Sequence, residues 1–78
     1  MRKNFNDFLA VSPTRSRAFA AFTCYSVILI SGIQEAKDLY PKSTWYRHLS
    51  IIRDAGITLD DLESHHLDFI LQSKGQVL

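Results

Sequence analysis

Apolar residues recur at helical spacing along most of the chain, and prolines, glycines and capping residues cut the pattern into segments. From Met1 to Val11, Phe5, Phe8 and Leu9 are helix-compatible, beside Arg2, Lys3, Asn4, Asn6 and Asp7; this predicts a short helix or an ordered arm over residues 1–12. Ser12-Pro13 then supplies an N-cap and a proline at the first helical position, where the missing N–H costs nothing. A long helix should run from there to about Ile30. Its apolar residues, Phe19, Phe22, Tyr25, Val27, Ile28, Leu29 and Ile30, wrap most of the circumference, the pattern of a helix covered on all sides. In a chain this small, that predicts a central core helix or an oligomer interface.

Ser31-Gly32 ends the run. Ile33 to Tyr40 reads as a two-turn amphipathic helix, with Ile33, Ala36, Leu39 and Tyr40 on one side and Gln34, Glu35, Lys37 and Asp38 on the other, stopped by Pro41. After a three-residue junction, Ser43 caps a third helix through Trp45, Tyr46, Leu49 and Ile52 to Ala55, with Gly56 as its left-handed terminator. Beyond it, Thr58 with Asp61 three residues on forms a capping-box start to a helix through Leu62, His66, Phe69 and Ile70, and Lys74 to Leu78 reads as a frayed tail. The capping logic favours that helix over a strand at Ile57-Thr58-Leu59, which with a second strand through Leu67 to Leu71 would form a short β-wing after Gly56.

Length changes this picture by setting a limit: 78 residues make one domain, which rules out a pocket between two domains or a doubly wound cofactor fold. Hydrophobic residues at 46% and charged ones at 22% place the chain among globular proteins rather than disordered ones. Charge adds an asymmetry, because the net +1 conceals eight Lys/Arg against three Asp/Glu in residues 1–53 and one against five in residues 54–78. The single Cys24 excludes an internal disulfide and weakly favours a cytosolic compartment. The apolar run Ala18 to Ile33 is shorter than the ~20 residues of a spanning helix and reads as a buried helix, although Arg15 and Arg17 on its flank would suit an anchor. A signal peptide fits poorly.

Function concentrates in residues 33–56, where a two-turn helix, a short turn and a capped second helix have the layout of a helix-turn-helix. Ala36 is small where the two helices would cross, Ile33 and Leu39 face inward, and Trp45, Leu49 and Ile52 form the buried stripe of the second helix. Lys42, Ser43, Thr44, Tyr46 and Arg47, with His48, Ser50 and Arg53, are left on the outer face. That inventory suits double-stranded DNA: the helix start with Ser43 and Thr44 for backbone oxygens, Arg47 to fork onto a guanine, and Arg53 to reach a strand at the far end. The competing reading is an αα-hairpin whose basic face is merely solvated.

The stretch Lys37-Asp38-Leu39-Tyr40-Pro41-Lys42-Ser43-Thr44-Trp45-Tyr46-Arg47-His48, with Arg53-Asp54-Ala55-Gly56-Ile57 behind it, resembles the C-terminal segment of filamentous-phage replication-initiation proteins over about residues 20 to 59. Its Ser-Thr-x-x-Arg-His-Leu run followed by Ala-Gly-Ile is also similar to bacterial winged-helix regulators. The resemblance implies a DNA-binding piece acting in phage or plasmid replication or transcriptional control, in the cytoplasm of a bacterial host. Full-length members of the phage family nick DNA with a tyrosine and a metal-binding His-apolar-His motif. Here His65 and His66 are adjacent, so the resemblance implies no nuclease.

Other reactive residues read as structural. Adjacent histidines on a helix point ~100° apart and lack a third metal ligand. Tyr46 has only His48 nearby to act as a base; Asp60, Asp61 and Glu63 suit a helix start; Cys24 reads as an inert buried thiol. The expectation is therefore a single all-α helix-turn-helix domain over residues 1–78, not an enzyme, with no cofactor, metal, small-molecule substrate or membrane. Its partner is double-stranded DNA and its form a homodimer through the apolar helix 13–31. The alternative is a protein-interaction module that self-associates or docks on a larger protein through that same helix.

Overall fold

A computed structural model describes residues 4–76 as five helices: α1 (Phe5–Val11), α2 (Arg15–Ser31), α3 (Ile33–Leu39), α4 (Lys42–Asp54) and α5 (Leu59–Gln76). There is no strand among the described residues, so the wing after Gly56 is not formed. The reason lies in the cap: the Thr58 amide donates to Asp61 Oδ2 at 3.0 Å and the Asp61 amide donates to Thr58 Oγ1 at 3.1 Å, which starts a helix. The helix also continues to Gln76, so residues 74–76 are not the expected frayed tail; residues 77 and 78 lie outside the described part, as do Arg2 and Lys3.

The segment before Pro13 is a helix rather than an arm, opened by a reciprocal box between Asn4 and Asp7. Ser12 does not cap α2. Its hydroxyl donates back to the Phe8 carbonyl at 2.6 Å and closes α1, while Pro13 holds Ser12 extended; Thr14 takes over as N-cap by accepting from the Arg17 amide at 3.1 Å.

Helix α2 is the centre of the molecule, and α1, α3, α4 and α5 all pack on it. Ala18, Ala21, Cys24, Tyr25, Ile28 and Leu29 are buried, joined by Phe8, Ala36, Trp45, Ile51, Ile52, Ile57 and Leu62 from the other helices. Rings of Phe5, Phe8, Phe22 and Tyr25 meet edge-on or tilted where α1 crosses α2, with centroids 5.5 to 6.3 Å apart. The covering is not complete: Phe19 is 65% and Ile30 58% exposed. No helix is long and apolar enough to cross a membrane among the described residues.

Two histidines tie α5 to α2. His65 Nδ1 hydrogen-bonds the Tyr25 hydroxyl at 2.9 Å, and His66 Nδ1 donates to the Leu29 carbonyl at 2.8 Å. Leu29 is in the last turn of α2, where carbonyls lack an intrahelical donor, so His66 acts as a C-terminal cap supplied from another helix. These contacts give the adjacent histidines a structural part in holding α5 on α2.

Candidate nucleic-acid interface

The placement of α4 follows from its two ends. Tyr40 and Pro41 are the whole link from α3, two residues rather than three, because the Pro41 carbonyl already accepts from the Trp45 amide at 2.9 Å. The helix accordingly begins at Lys42, and Ser43 is inside its first turn instead of capping it. At the far end Gly56, with φ +93°, permits paired bonds from its own amide to Arg53 O and from the Ile57 amide to Ile52 O, a Schellman closure that buries Ile57.

Ala36 is buried, but α3 packs chiefly on α2 and at most slightly on α4, so the close α3–α4 crossing expected of Ala36 is not what buries it. Leu39, expected inward, is 69% exposed. The space beside it belongs to Tyr40, whose ring stands 6.3 Å from Trp45 and 5.4 Å edge-on to His48. Burial pushes the Cys24 thiol up to about 11, so it stays protonated at neutral pH.

On α4 the expected inner stripe holds for Trp45 and Ile52, with Leu49 partly buried and Ile51 added. Outward stand Lys42, Ser43, Tyr46, Arg47 and Arg53; Thr44 and Ser50 are half-buried. No ion pair of Lys42, Arg47 or Arg53 forms among the described residues. An open groove of ≈ 600 Å³ runs along the far edge of the helix between Tyr46, Leu49, Arg53 and the start of α5 at Leu59 and Asp60.

His48 does not belong to this outer face. It is three residues after Trp45 and three before Ile51, on the inner side, and is 7% exposed with Nδ1 lacking a hydrogen-bond partner among the described residues. Burial first, and the Arg47 charge second, lower its pKa below the usual 6.5. The ring is thus neutral at pH 7 and is not a cation for DNA. Because the unfolded chain binds the proton at higher pH than the folded one, stability should be full above about pH 6.5 and fall as pH drops from there toward the depressed value. Urea melts between pH 7 and 5 should show this loss, and His48→Gln should flatten it; an identical slope in the variant would place the titration elsewhere.

Sequence reasoning missed Ser16 and Arg17. They lie about thirty residues from Arg47, yet line one small pocket with it and with His48, where the start of α2 meets α4. The available signal was the pair Arg15 and Arg17 at the head of the apolar helix, noted only as a flank that would suit a membrane anchor. Among the described residues no three His, Cys, Asp or Glu side chains gather as a metal site. No protein-family model matches this chain, and neither a curated protein nor a solved structure matches it.

Proposed function

We propose that the chain binds double-stranded DNA as a helix-turn-helix, with α3 as the supporting helix and α4 lying in the major groove. The observation that carries this reading is that Lys42, Arg47 and Arg53 are all exposed on one firmly packed helix and make no ion pair among the described residues. Cations placed that way suit a polyanion, and Ser43, Thr44 and Tyr46 beside them add donors for phosphates and base edges. Carboxylates lie mainly elsewhere, with Asp60, Asp61, Glu63 and Asp68 on α5, so the polarity of the surface orients the duplex onto α4. The chain would act in replication or transcriptional control in the cytoplasm of a phage-infected or plasmid-bearing bacterium.

The test is fluorescence anisotropy of random-sequence duplex DNA at about 50 and 200 mM salt. Three phosphate contacts predict affinity falling roughly 40-fold between the two. Absence of binding at either salt would sink the proposal.

A second reading, self-association or docking on another protein, is favoured by exposed Phe19 and Ile30 on α2 and Leu67 and Leu71 on α5. Most apolar residues of α2 are occupied in the chain's own core, so a dimer would use those remaining side chains. Both readings hold together if a dimer presents two copies of α4 to two half-sites.

A further inference from the structure

The pocket between α2 and α4 has a volume of ≈ 130 Å³ and is lined by Ser16, Arg17, Ala20, Arg47, His48 and Ile51. That is room for about four waters at ~30 Å³ each, or for one tetrahedral oxyanion with a water. The polar residues along it are Arg17, Arg47, Ser16 and His48, with no carboxylate among them. Neither arginine is ion-paired among the described residues, so two like charges border one cavity with nothing opposing them there.

Two further features favour a negative occupant. Arg15 and Ser16 are the first two residues of a 17-residue helix, where amides have no intrahelical acceptor and the helix dipole is positive; Thr14 occupies the third amide and leaves these two. Independently, His48 lines the pocket while more than nine-tenths buried, and no hydrogen bond to another residue holds its ring among the described residues.

We infer that this pocket seats one phosphodiester of the duplex, held by the Arg17 and Arg47 guanidiniums and the Ser16 hydroxyl against the His48 ring. The inference rests on the proposed DNA reading and changes the part assigned to Arg47, which grips the strand jointly with Arg17 from another helix instead of forking onto a guanine. A phosphate fixed at the junction of α2 and α4 sets how far α4 enters the groove.

Two measurements separate this inference from the reading beneath it. In the first, the isotopically labelled full chain is titrated with inorganic phosphate against sodium chloride of equal ionic strength, following the His48 ring signals and the Ser16 and Arg17 amides by NMR. Saturable shifts with phosphate alone, lost in Arg17→Ala and in Arg47→Ala, are expected; both side chains are exposed, so both variants should fold. Shifts equal to those in chloride, or unchanged in the variants, would overturn the pocket. In the second, Arg17→Ala should lower the slope of log affinity against log salt on duplex DNA by about 0.9, and Arg17→Ala with Arg47→Ala should cost less than the two singly summed, since both hold the same phosphate. If Arg17→Ala binds duplex like the wild type while Lys42→Ala binds more weakly, the inference fails and the DNA reading stands. If phosphate titrates the pocket and no duplex binds, the strand assignment falls together with the DNA reading, and the site is one for free phosphate.

Discussion

The triple variant Lys42→Ala, Arg47→Ala, Arg53→Ala should lose duplex DNA binding by on the order of a thousandfold at 50 mM salt, and the salt slope should shrink by about 2.7. All three side chains are exposed, and surface substitutions of this sort usually shift stability by within ~0.5 kcal/mol each. A helical circular-dichroism spectrum and melting point close to wild type should accompany the loss. The charge-preserving partner, Arg47→Lys with Arg53→Lys, separates point charge from geometry, because lysine retains the charge but not the planar fork. Its salt slope should stay near wild type. If the triple variant binds duplex as the parent does, α4 is not the DNA surface. In that event Phe19→Ser and Leu67→Ser should be tested by sedimentation, with a change in association state pointing to the interaction reading.

The largest effect on stability is expected at Gly32→Ala. Gly32 joins α2 to α3 with φ +91° and ψ 166°, a combination essentially confined to glycine, and strain there costs ~1–3 kcal/mol. A Cβ at this position would also lie 3.1 Å from His66 Nε2, and that ring cannot move freely because its Nδ1 holds the Leu29 carbonyl. Stretching this bond adds ~1 kcal/mol, giving a loss of roughly 2–4 kcal/mol. For a domain of this size, Tm should fall by roughly 10–30 °C. The double variant Gly32→Ala, His66→Ala removes the ring contact but keeps the backbone strain, so its cost should be less than the sum of the two single changes. Strict additivity would show that the ring does not contribute, and an unchanged Tm in Gly32→Ala would refute both terms.

These two positions also show how far local information reached. Helix ends were legible wherever one residue's own chemistry sets them. Gly56 ends α4 because its left-handed φ needs no partner from elsewhere, and Thr58 with Asp61 opens α5 because the box closes within four residues. The inner stripe of Trp45 and Ile52 and the outer row of Lys42, Ser43, Tyr46, Arg47 and Arg53 followed from the 3.6-residue period alone. Where two local rules competed, the sequence did not rank them. Ser12 can cap the following helix or close the preceding one, and the Phe8 carbonyl takes its hydroxyl.

By itself, then, the sequence determined an all-helical chain, the approximate limits of its helices, and which side of α4 carries charge, since each depends on residues within a turn or two of one another. Only the tertiary structure decided what each face meets. His48 is on the inner side of α4 by its spacing from Trp45 and Ile51, but only the packing supplies the Tyr40 ring and the neighbouring α2 that enclose it. Leu39 is exposed because Tyr40 takes the inner place beside it. His65 and His66 acquire their purpose from Tyr25 and Leu29, forty and thirty-seven residues away. Arg17 and Arg47 come to share one pocket only because α4 packs on α2, and contacts of such sequence separation leave no periodic trace for a one-dimensional reading to find.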